Sequence, residues 1–342
     1  MNAGIAGIGC VTPLGGDLDV LWQRIEAGER PDLVEVANPE TGRKFLAALV
    51  PPAHVAHLGR EPRLRRSSAI SLYAATAAQK AMADSGLTFS PEQKSRLAIV
   101  LGVANGGVQY TRRFYEQIVK QGANVASPLL FPETVYNAPA SHIAAILGVN
   151  GATYTLVGDG TVGLQALHFG AELLALGDAD HVLVVAAEEL DWALVQAHAD
   201  WRLTAPGALL AEGAAAVLLS KDAARASVEV AAGESFFSRG EAPAAMERAL
   251  AGLASPERMD FIFSGSNGTW ADAILATTIQ HHFPSPLRAP ILPKASFGEA
   301  IGAGALLQVV LAADALHRFG GKHALVASLG WNQQAAAARL QV

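Results

Sequence analysis

Short apolar runs alternate along the chain with longer segments that carry apolar residues at helical spacing. The run Leu97–Val103 is continuously apolar, which is typical of a strand buried on both faces of a sheet. The segment Ser67–Ser85 instead places residues such as Ile70 and Tyr73 on one face, and Gly86 follows it as a C-terminal cap. The pattern therefore predicts strands and helices in alternation.

The same criteria predict the other elements. The predicted strands are Ile5–Val11, Leu97–Val103, Tyr154–Val157, His181–Ala187, Ala214–Leu219, Asp260–Ser264 and a closing strand His323–Leu329. The predicted helices are Ser67–Ser85, Leu164–Leu176, Trp270–His281 and Gly302–His317. Two strand–helix series result, roughly 1–221 and 226–342, and we expect them to share one core because no low-complexity linker separates them. Alternation of this kind implies an α/β protein with mostly parallel sheets covered by helices.

Composition narrows the class of protein. The chain has 342 residues, 51% of them apolar and 16% charged, with a formal net charge of −6. These values argue against nucleic acid or an anionic membrane as general partners, while a local basic patch for an acidic carrier protein stays compatible with them. The single cysteine, Cys10, excludes an intrachain disulfide, and neither Cys/His spacing nor the pair His281 and His282 suggests a metal site. We expect a cytoplasmic protein without a signal peptide or membrane span.

A glycine-rich motif follows the predicted strand Tyr154–Val157. Residues Gly158–Gly163 have the pattern G-x-G-x-x-G and open a helix, and Glu188 is available to bind a ribose, as in dinucleotide-binding folds. The motif lies in mid-chain, however, and Glu188 lies further on than the usual spacing of about 20 residues. A dinucleotide-binding oxidoreductase is therefore one alternative. Asp159, within the motif, is expected to be the N-cap of the helix.

Several segments carry a family resemblance through their order and spacing. They are Gly7–Gly15, Asn137–Ile143, Gly177–Asp180, Ala211–Ala215, and Lys294 followed by Gly298 and Gly302. Together they resemble β-ketoacyl-acyl-carrier-protein synthases along nearly the whole chain. The resemblance implies a thiolase-like α/β fold, in which two similar halves form five layers in the order α-β-α-β-α, and it implies no cofactor.

The positions that carry catalysis in that family differ here. A condensing synthase uses a cysteine at a helix N-terminus, where the helix dipole favours the thiolate, and the residue that matches it is Gly160. The two histidines that assist decarboxylation match Gly265 and Glu299, and a carboxylate at the second position would repel an enolate. The gating phenylalanine matches Trp331. The resemblance thus implies an inactive, chain-length-factor-like subunit of an aryl polyene, type II polyketide or fatty-acid pathway.

The residues around the lost triad allow other interpretations. Lys294 and Glu299 would pair in a closed, vestigial pocket that also contains Asp159. Trp331 is either a plug for that pocket or a packing residue. A second alternative is an acyl-thioester enzyme with altered chemistry, a hydrolase or cyclase that uses Asp159, Glu299 or Ser266.

The resemblance also implies how the subunit assembles. In the family fold, the strand before the nucleophile turn pairs with the same strand of the neighbouring subunit across a two-fold or pseudo-two-fold axis. In this chain that strand is Thr153 to Val157, with Thr153 and Tyr154 as its first two residues. Leu130 and Phe131 match the region that reaches across this interface towards the neighbour's acyl tunnel. We expect a heterodimer with an active β-ketoacyl synthase, contact with acyl carrier protein through that complex, and a homodimer as the fallback.

Overall fold

The computed structural model describes residues 2–201, 208–221, 225–253, 257–284, 286–331 and 333–342. Its strands are β1 (Asn2–Val11), β2 (Val34–Ala37), β3 (Lys44–Ala47), β4 (Leu97–Val103), β5 (Thr153–Val157), β6 (His181–Glu188), β7 (Gly213–Ser220), β8 (Ala226–Ser235), β9 (Phe261–Ser264), β10 (His323–Leu329) and β11 (Gln334–Gln341). Its helices are α1 (Leu18–Glu26), α2 (Ala69–Asp84), α3 (Pro91–Ser95), α4 (Val108–Gln121), α5 (Ala138–Leu147), α6 (Val162–Leu176), α7 (Trp192–Asp200), α8 (Ala242–Ala251), α9 (Ala271–His282), α10 (Pro293–Phe297) and α11 (Gly304–Arg318). Short 3-10 helices are Pro52–Arg60, Pro62–Leu64, Ala123–Val125 and Phe131–Glu133.

The predicted elements are present, and the sequence pattern missed others. Strands β4 and β10 have the predicted bounds, but the chain closes with β11 and not with β10. The alanine-rich sequence of β11 has little β propensity of its own, so only its pairing with β8 and β10 makes it a strand. No helix in the described part of the chain is long and apolar enough to cross a membrane.

Nine strands form one mixed sheet in the order β5-β4-β6-β7-β1-β8-β11-β10-β9. Strand β4 is parallel to both β5 and β6, and β9 is parallel to β10, whereas the other neighbours run antiparallel. The expectation of mostly parallel sheets is therefore wrong. One reason is that only residues 330–333 join β10 to β11, a connection too short for a parallel crossover.

Alternate residues of the strands face different cores, and this alternation produces five layers. In β6, Val184 faces a central core that contains α6 and α11, while Val185 faces the core beneath α2 and α5. In β10, Val326 faces the same central core, while Leu325 faces the core beneath α8 and α9. Helices α6 and α11 are covered from both sides and are correspondingly apolar over most of their surface. The α-β-α-β-α architecture is confirmed.

The two halves of the sheet are unequal. Strands β1 and β4–β7 lie on one side of the β1–β8 pairing and β8–β11 on the other. Within the described residues, the counterpart of edge strand β5 in the second half is a single bridge between Phe263 and Ile291. Strand β1 pairs with both β7 and β8, so the sheet is continuous between the halves. The division into 1–221 and 226–342 stays a prediction.

Candidate functional site

The turn between β5 and α6 carries Gly160, which the family resemblance assigns to the position of the nucleophile. Sequence predicts Asp159 as the N-cap of α6, but the helix begins at Val162 and its N-cap is Thr161. One carboxylate oxygen of Asp159 instead accepts hydrogen bonds from the backbone N–H of Thr161 at 3.0 Å and from its hydroxyl at 2.9 Å. Asp159 thus fixes the turn from outside the helix, because a short acidic side chain folds back onto the backbone two residues further on.

Gly160 lies at a cavity with a volume of about 330 Å³. A Cβ atom on Gly160 would lie 3.7 Å from the Cα atom of Gly330 and 3.9 Å from the carbonyl oxygen of Ile301, which are ordinary van der Waals distances. The cavity lining includes Asn105, Asp159, His198, Trp201, Ile301 and Trp331. The predicted nucleophile position, Gly160, therefore has space for a side chain but contains none.

Gly265, which matches the first family histidine, lies in a more crowded place. It directly follows β9, and its backbone N–H donates to the carbonyl oxygen of Ala327 at 2.7 Å. A Cβ atom there would lie 2.9 Å from the hydroxyl oxygen of Ser328 and 3.0 Å from its Cα atom. A histidine could not be accommodated at this position unless β10 moved.

Glu299, which matches the second family histidine, is held in a buried polar cluster. Its Oε2 atom lies 2.7 Å from Nζ of Lys294 and accepts a hydrogen bond from Nδ2 of Asn267, also at 2.7 Å. Its Oε1 atom is buried and has no hydrogen-bond partner among the described residues. This is the Lys294–Glu299 pair that the sequence predicts, and neither residue belongs to the lining of the cavity at Gly160.

Trp331 lines the cavity at Gly160 and contacts a histidine that sequence reasoning missed. The ring of His198, on α7, lies 5.7 Å from the Trp331 ring between centroids, in an edge-on arrangement. Burial lowers the pKa of His198, so the ring is neutral at pH 7. Its Nδ1 atom donates to the carbonyl oxygen of Leu194 at 2.9 Å, which leaves Nε2 as a hydrogen-bond acceptor. No local motif marks His198; only the packing of α7 places it here.

The glycine motif serves close packing. A Cβ atom on Gly163 would lie 2.9 Å from both the backbone nitrogen and the Cβ atom of Leu306, so this glycine permits the contact between α6 and α11. The carboxylate of Glu188 is fully buried and accepts hydrogen bonds from the Gly302 backbone at 2.8 Å and from Nδ2 of Asn105 at 3.1 Å. Glu188 is therefore not available to a ribose.

Two more buried carboxylates connect the strand ends to the surrounding helices. Glu189 accepts hydrogen bonds from the backbone N–H groups of Ile70 and Gln109, both at 2.9 Å. Glu212 accepts a hydrogen bond from the Tyr73 hydroxyl at 2.7 Å. Burial raises the pKa of Glu189 to about 8, and it also raises the pKa of Glu212. These groups position the backbone around the cavity.

The edge of the sheet at β5 is exposed. Thr153 and Tyr154 are both exposed, and Val157 is 54% exposed although it is apolar. Within the described residues, strand β5 has a ladder partner on one side only, β4. The ring of Tyr154 lies 5.0 Å from the Phe169 ring, which keeps it close to the sheet surface. An apolar, one-sided edge of this kind is suited to pairing with another strand.

The segment with Leu130 and Phe131 is attached to the body of the protein by Glu133. Phe131 is 55% exposed, and its ring lies 5.8 Å from that of Phe114. The buried carboxylate of Glu133 lies 2.6 Å from Nε2 of His142, and it accepts a hydrogen bond from the backbone N–H of Ser68 at 2.8 Å. Burial by itself would raise the pKa of Glu133. The hydrogen bonds from His142 and Ser68 have the larger combined effect, so the pKa of Glu133 is lowered. Phe131 is thus presented on a fixed segment.

Comparisons with known proteins identify the family to which the chain belongs. Residues 3–224 match the family described as "Beta-ketoacyl synthase, N-terminal domain". A 3-oxoacyl-[acyl-carrier-protein] synthase 2 of Vibrio cholerae is 24% identical over 188 residues, which is 54% of this chain and 45% of that relative. The chain thus spans less than half of that relative's length. The protein of the same name from Coxiella burnetii is 24% identical over 359 residues, 91% of this chain and 85% of the relative.

Among solved structures, "The ishigamide ketosynthase/chain length factor" superposes with a TM-score of 0.84 and 20% sequence identity. The superposition covers 100% of this chain and 99% of that one, so the two share their fold over the whole length. The family match itself extends over more than half of the chain. The chain therefore belongs to the β-ketoacyl synthase family.

Proposed function

We propose that this chain is a non-condensing subunit of the chain-length-factor type. It pairs with an active β-ketoacyl synthase in carrier-protein-dependent fatty-acid or polyketide synthesis, of which aryl polyene synthesis is one form. In that complex it helps to shape the tunnel that holds the growing acyl chain. The observation that carries the proposal is Gly160 at the turn where the family places its nucleophile.

The geometry around Gly160 supports the loss of condensation. Decarboxylative condensation needs a nucleophile, a proton relay and donors that stabilise an enolate. Gly265 has no side chain to act as donor and no space for one. Glu299 carries a carboxylate whose Oε2 atom already binds Lys294 and Asn267, and a carboxylate disfavours a nearby enolate. All three functions are therefore missing at the positions that match them.

Exposed apolar side chains support an interface on the side that carries β5. The exposed apolar residues of α4, of the segment that follows α4, and of β5 are Tyr115, Val119, Val125, Leu129, Phe131, Val135, Tyr136, Tyr154 and Val157. Exposed apolar side chains in such number mark a surface that can bind another protein. Pairing of β5 with the corresponding strand of a synthase would cover the edge, and the same strand in a second copy of this chain is the fallback partner.

A basic surface supports contact with an acidic carrier protein. The 3-10 helices Pro52–Arg60 and Pro62–Leu64, and the turn after them, carry four exposed arginines: Arg60, Arg63, Arg65 and Arg66. None of the ion pairs within the described residues involves them. Since the whole chain has a net charge of −6, this local excess of positive charge favours an anionic partner.

The two alternative functions receive less support from the geometry. A hydrolase or cyclase would need its polar groups to converge, but Asp159 lines the cavity at Gly160, Glu299 is bound to Lys294, and the Ser266 hydroxyl pairs with Ser264 at 2.9 Å. A dinucleotide-binding oxidoreductase would need a free acidic residue, and the one at the expected place accepts hydrogen bonds inside the protein.

The test is coexpression with active β-ketoacyl synthases encoded beside this chain, followed by copurification and intact-mass analysis after incubation with acyl carrier protein. We expect a stable heterodimer in which only the synthase becomes acylated. If the chain forms a homodimer and copurifies with none of the synthases, the partner hypothesis is wrong. A covalent acyl adduct on this chain, together with condensation by the isolated chain, would overturn the non-condensing role.

A further inference from the structure

The outer helical layer of the second half contains a cluster of metal-binding side chains. His281 and His282 are the last two residues of α9, and Glu247 lies on α8, which packs beside it. Nδ1 of His281 lies 3.2 Å from both carboxylate oxygens of Glu247, and Nε2 of His282 lies 2.6 Å from one of them. The three ligand atoms all lie within 4.8 Å of one another.

We propose that Glu247, His281 and His282 bind one divalent transition-metal ion, with Zn²⁺ as the best-suited ion, and that this ion connects α8 to α9. Two imidazole nitrogens and one carboxylate oxygen are a common ligand set for zinc, whereas Mg²⁺ and Ca²⁺ prefer oxygen ligands alone. Water completes the coordination on the exposed side. This site is independent of the proposed pairing with a synthase.

The distances between the ligand atoms fit an ion of this size. Tetrahedral zinc with bonds of about 2.0–2.2 Å places its ligand atoms about 3.4 Å apart. The His281–Glu247 distance of 3.2 Å is close to that value, and the His282–Glu247 distance of 2.6 Å needs to widen by less than about 1 Å. Rotation of the Glu247 side chain can supply this change, because that side chain is 35% exposed.

The backbones that carry the ligands are held in place by apolar packing. Met246 and Leu250 of α8 lie on either side of Glu247 in sequence, and both belong to the same buried core as Leu275 and Ile279 of α9. The ligands therefore stand on two helices whose spacing is fixed before an ion arrives.

The location at the end of α9 favours a cation for a second reason. The carbonyl groups of the last helical turn carry partial negative charge, which attracts positive charge to this end of the helix. Without an ion, the two imidazoles donate hydrogen bonds to Glu247 through the same nitrogen atoms that would bind the metal. Metal binding thus replaces protons and leaves the arrangement of the side chains nearly unchanged.

The test is isothermal titration of tag-free, chelator-treated protein with Zn²⁺, and with Mg²⁺ for comparison. We expect one Zn²⁺ per chain, a higher melting temperature with Zn²⁺, and no response to Mg²⁺. His281→Ala, His282→Ala and Glu247→Gln should each weaken Zn²⁺ binding by at least about 10-fold. His168→Ala is the matched control, because His168 pairs with Glu172 alone at 3.5 Å; its Zn²⁺ affinity should equal that of the unmodified chain.

Two results would overturn the proposal. One is the absence of heat and of any thermal shift with Zn²⁺ in tenfold excess over protein. The other is unchanged Zn²⁺ binding in both histidine variants. Because His281 is exposed, His281→Ala is expected to fold normally, and circular dichroism of that variant separates loss of a ligand from loss of structure.

Discussion

The ammonium group of Lys294 lies 2.7 Å from Oε2 of Glu299, and both side chains are almost completely excluded from solvent. Glu299, which the family resemblance assigns to the position of a catalytic histidine, is therefore part of a buried ion pair. Asn267 donates a further hydrogen bond to the same oxygen at 2.7 Å. The pair connects α10 to the residues that precede α11.

Breaking this pair on one side should destabilise the fold. Lys294→Met leaves the Glu299 carboxylate buried without its counter-charge, and we expect the free energy of unfolding to fall by about 3–5 kcal/mol. Lys294→Met combined with Glu299→Leu removes both charges and should recover most of that loss. Urea denaturation of the single and double variants measures both values. A single variant as stable as the unmodified chain would contradict the stabilising role of the pair.

Gly160 and Gly265, the two glycines that the family resemblance assigns to catalytic positions, should respond differently to the same substitution. Gly160→Ala places a Cβ atom at ordinary distances, so we expect a change in the free energy of unfolding within about 1 kcal/mol. Gly265→Ala forces a Cβ atom to 2.9 Å from the Ser328 hydroxyl, and overpacking of this kind costs about 1–3 kcal/mol. Thermal and urea denaturation of the two variants give the comparison. Equal stabilities of the two variants would show that Ser328 on β10 can move away from a Cβ atom at Gly265 at little cost in free energy.

A charge on the β5 edge should prevent assembly. Val157→Lys adds an ammonium group at a position that is 54% exposed, so the folded subunit should retain its melting temperature while the dimer is lost. Size-exclusion chromatography with light scattering of the coexpressed proteins measures the assembly state. Phe237→Lys is the control, because Phe237 is 83% exposed and lies outside the proposed interface. If the Val157→Lys variant still forms dimers, β5 does not form the interface.

Shortening one aromatic side chain should change the products of the complex. Phe131 is 55% exposed on the segment fixed by Glu133, and Phe131→Ala removes its ring. We expect the coexpressed complex to release longer acyl chains, because the end of the partner's tunnel gains volume. Mass spectrometry of the products gives the distribution. Leu46→Ala, at a site that is 59% exposed on β3, is the control, and unchanged lengths in an intact Phe131→Ala complex would exclude a length-setting role for this ring.

Stability should fall as pH rises through neutrality. Burial raises the pKa of Glu188 to about 7 and that of Glu189 to about 8, above the ordinary value of 4.5. Between pH 6.5 and 8 the folded chain therefore retains protons that the unfolded chain has released, and the free energy of unfolding decreases with increasing pH. The lowered pKa of His198 has the opposite effect, which fades as the pH rises above about 6.5, where the unfolded imidazole loses its proton.

Urea denaturation at several pH values between 6.5 and 8 measures this dependence. We expect a slope of about 1 kcal/mol per pH unit. Glu189→Gln cannot titrate and should flatten the slope, although the loss of a carboxylate acceptor for Ile70 and Gln109 also lowers the absolute stability. A slope that is unchanged in Glu189→Gln would show that this carboxylate is already ionised in the folded chain.

The sequence by itself indicated the family, and it predicted the loss of the catalytic residues. Strands β4 and β10 are apolar runs with clear ends, and their bounds follow from local pattern alone. The assignment of Gly160, Gly265 and Glu299 to catalytic positions of the family is equally local, because it rests on the resemblance of the motifs around them, and it stays a prediction. A residue that lacks a thiol or an imidazole lacks it in any fold, so this part of the conclusion needed no coordinates.

Only the tertiary structure decided what surrounds those residues. Gly160 and Gly265 are the same residue type, yet one borders a cavity and the other touches Ser328, since different strands approach them. Glu247 lies 34 residues before His281 in sequence and reaches it only because α8 packs on α9. The direction of β11 also followed from its partners. Such contacts depend on long-range packing of elements, which the periodicity of any one segment does not encode.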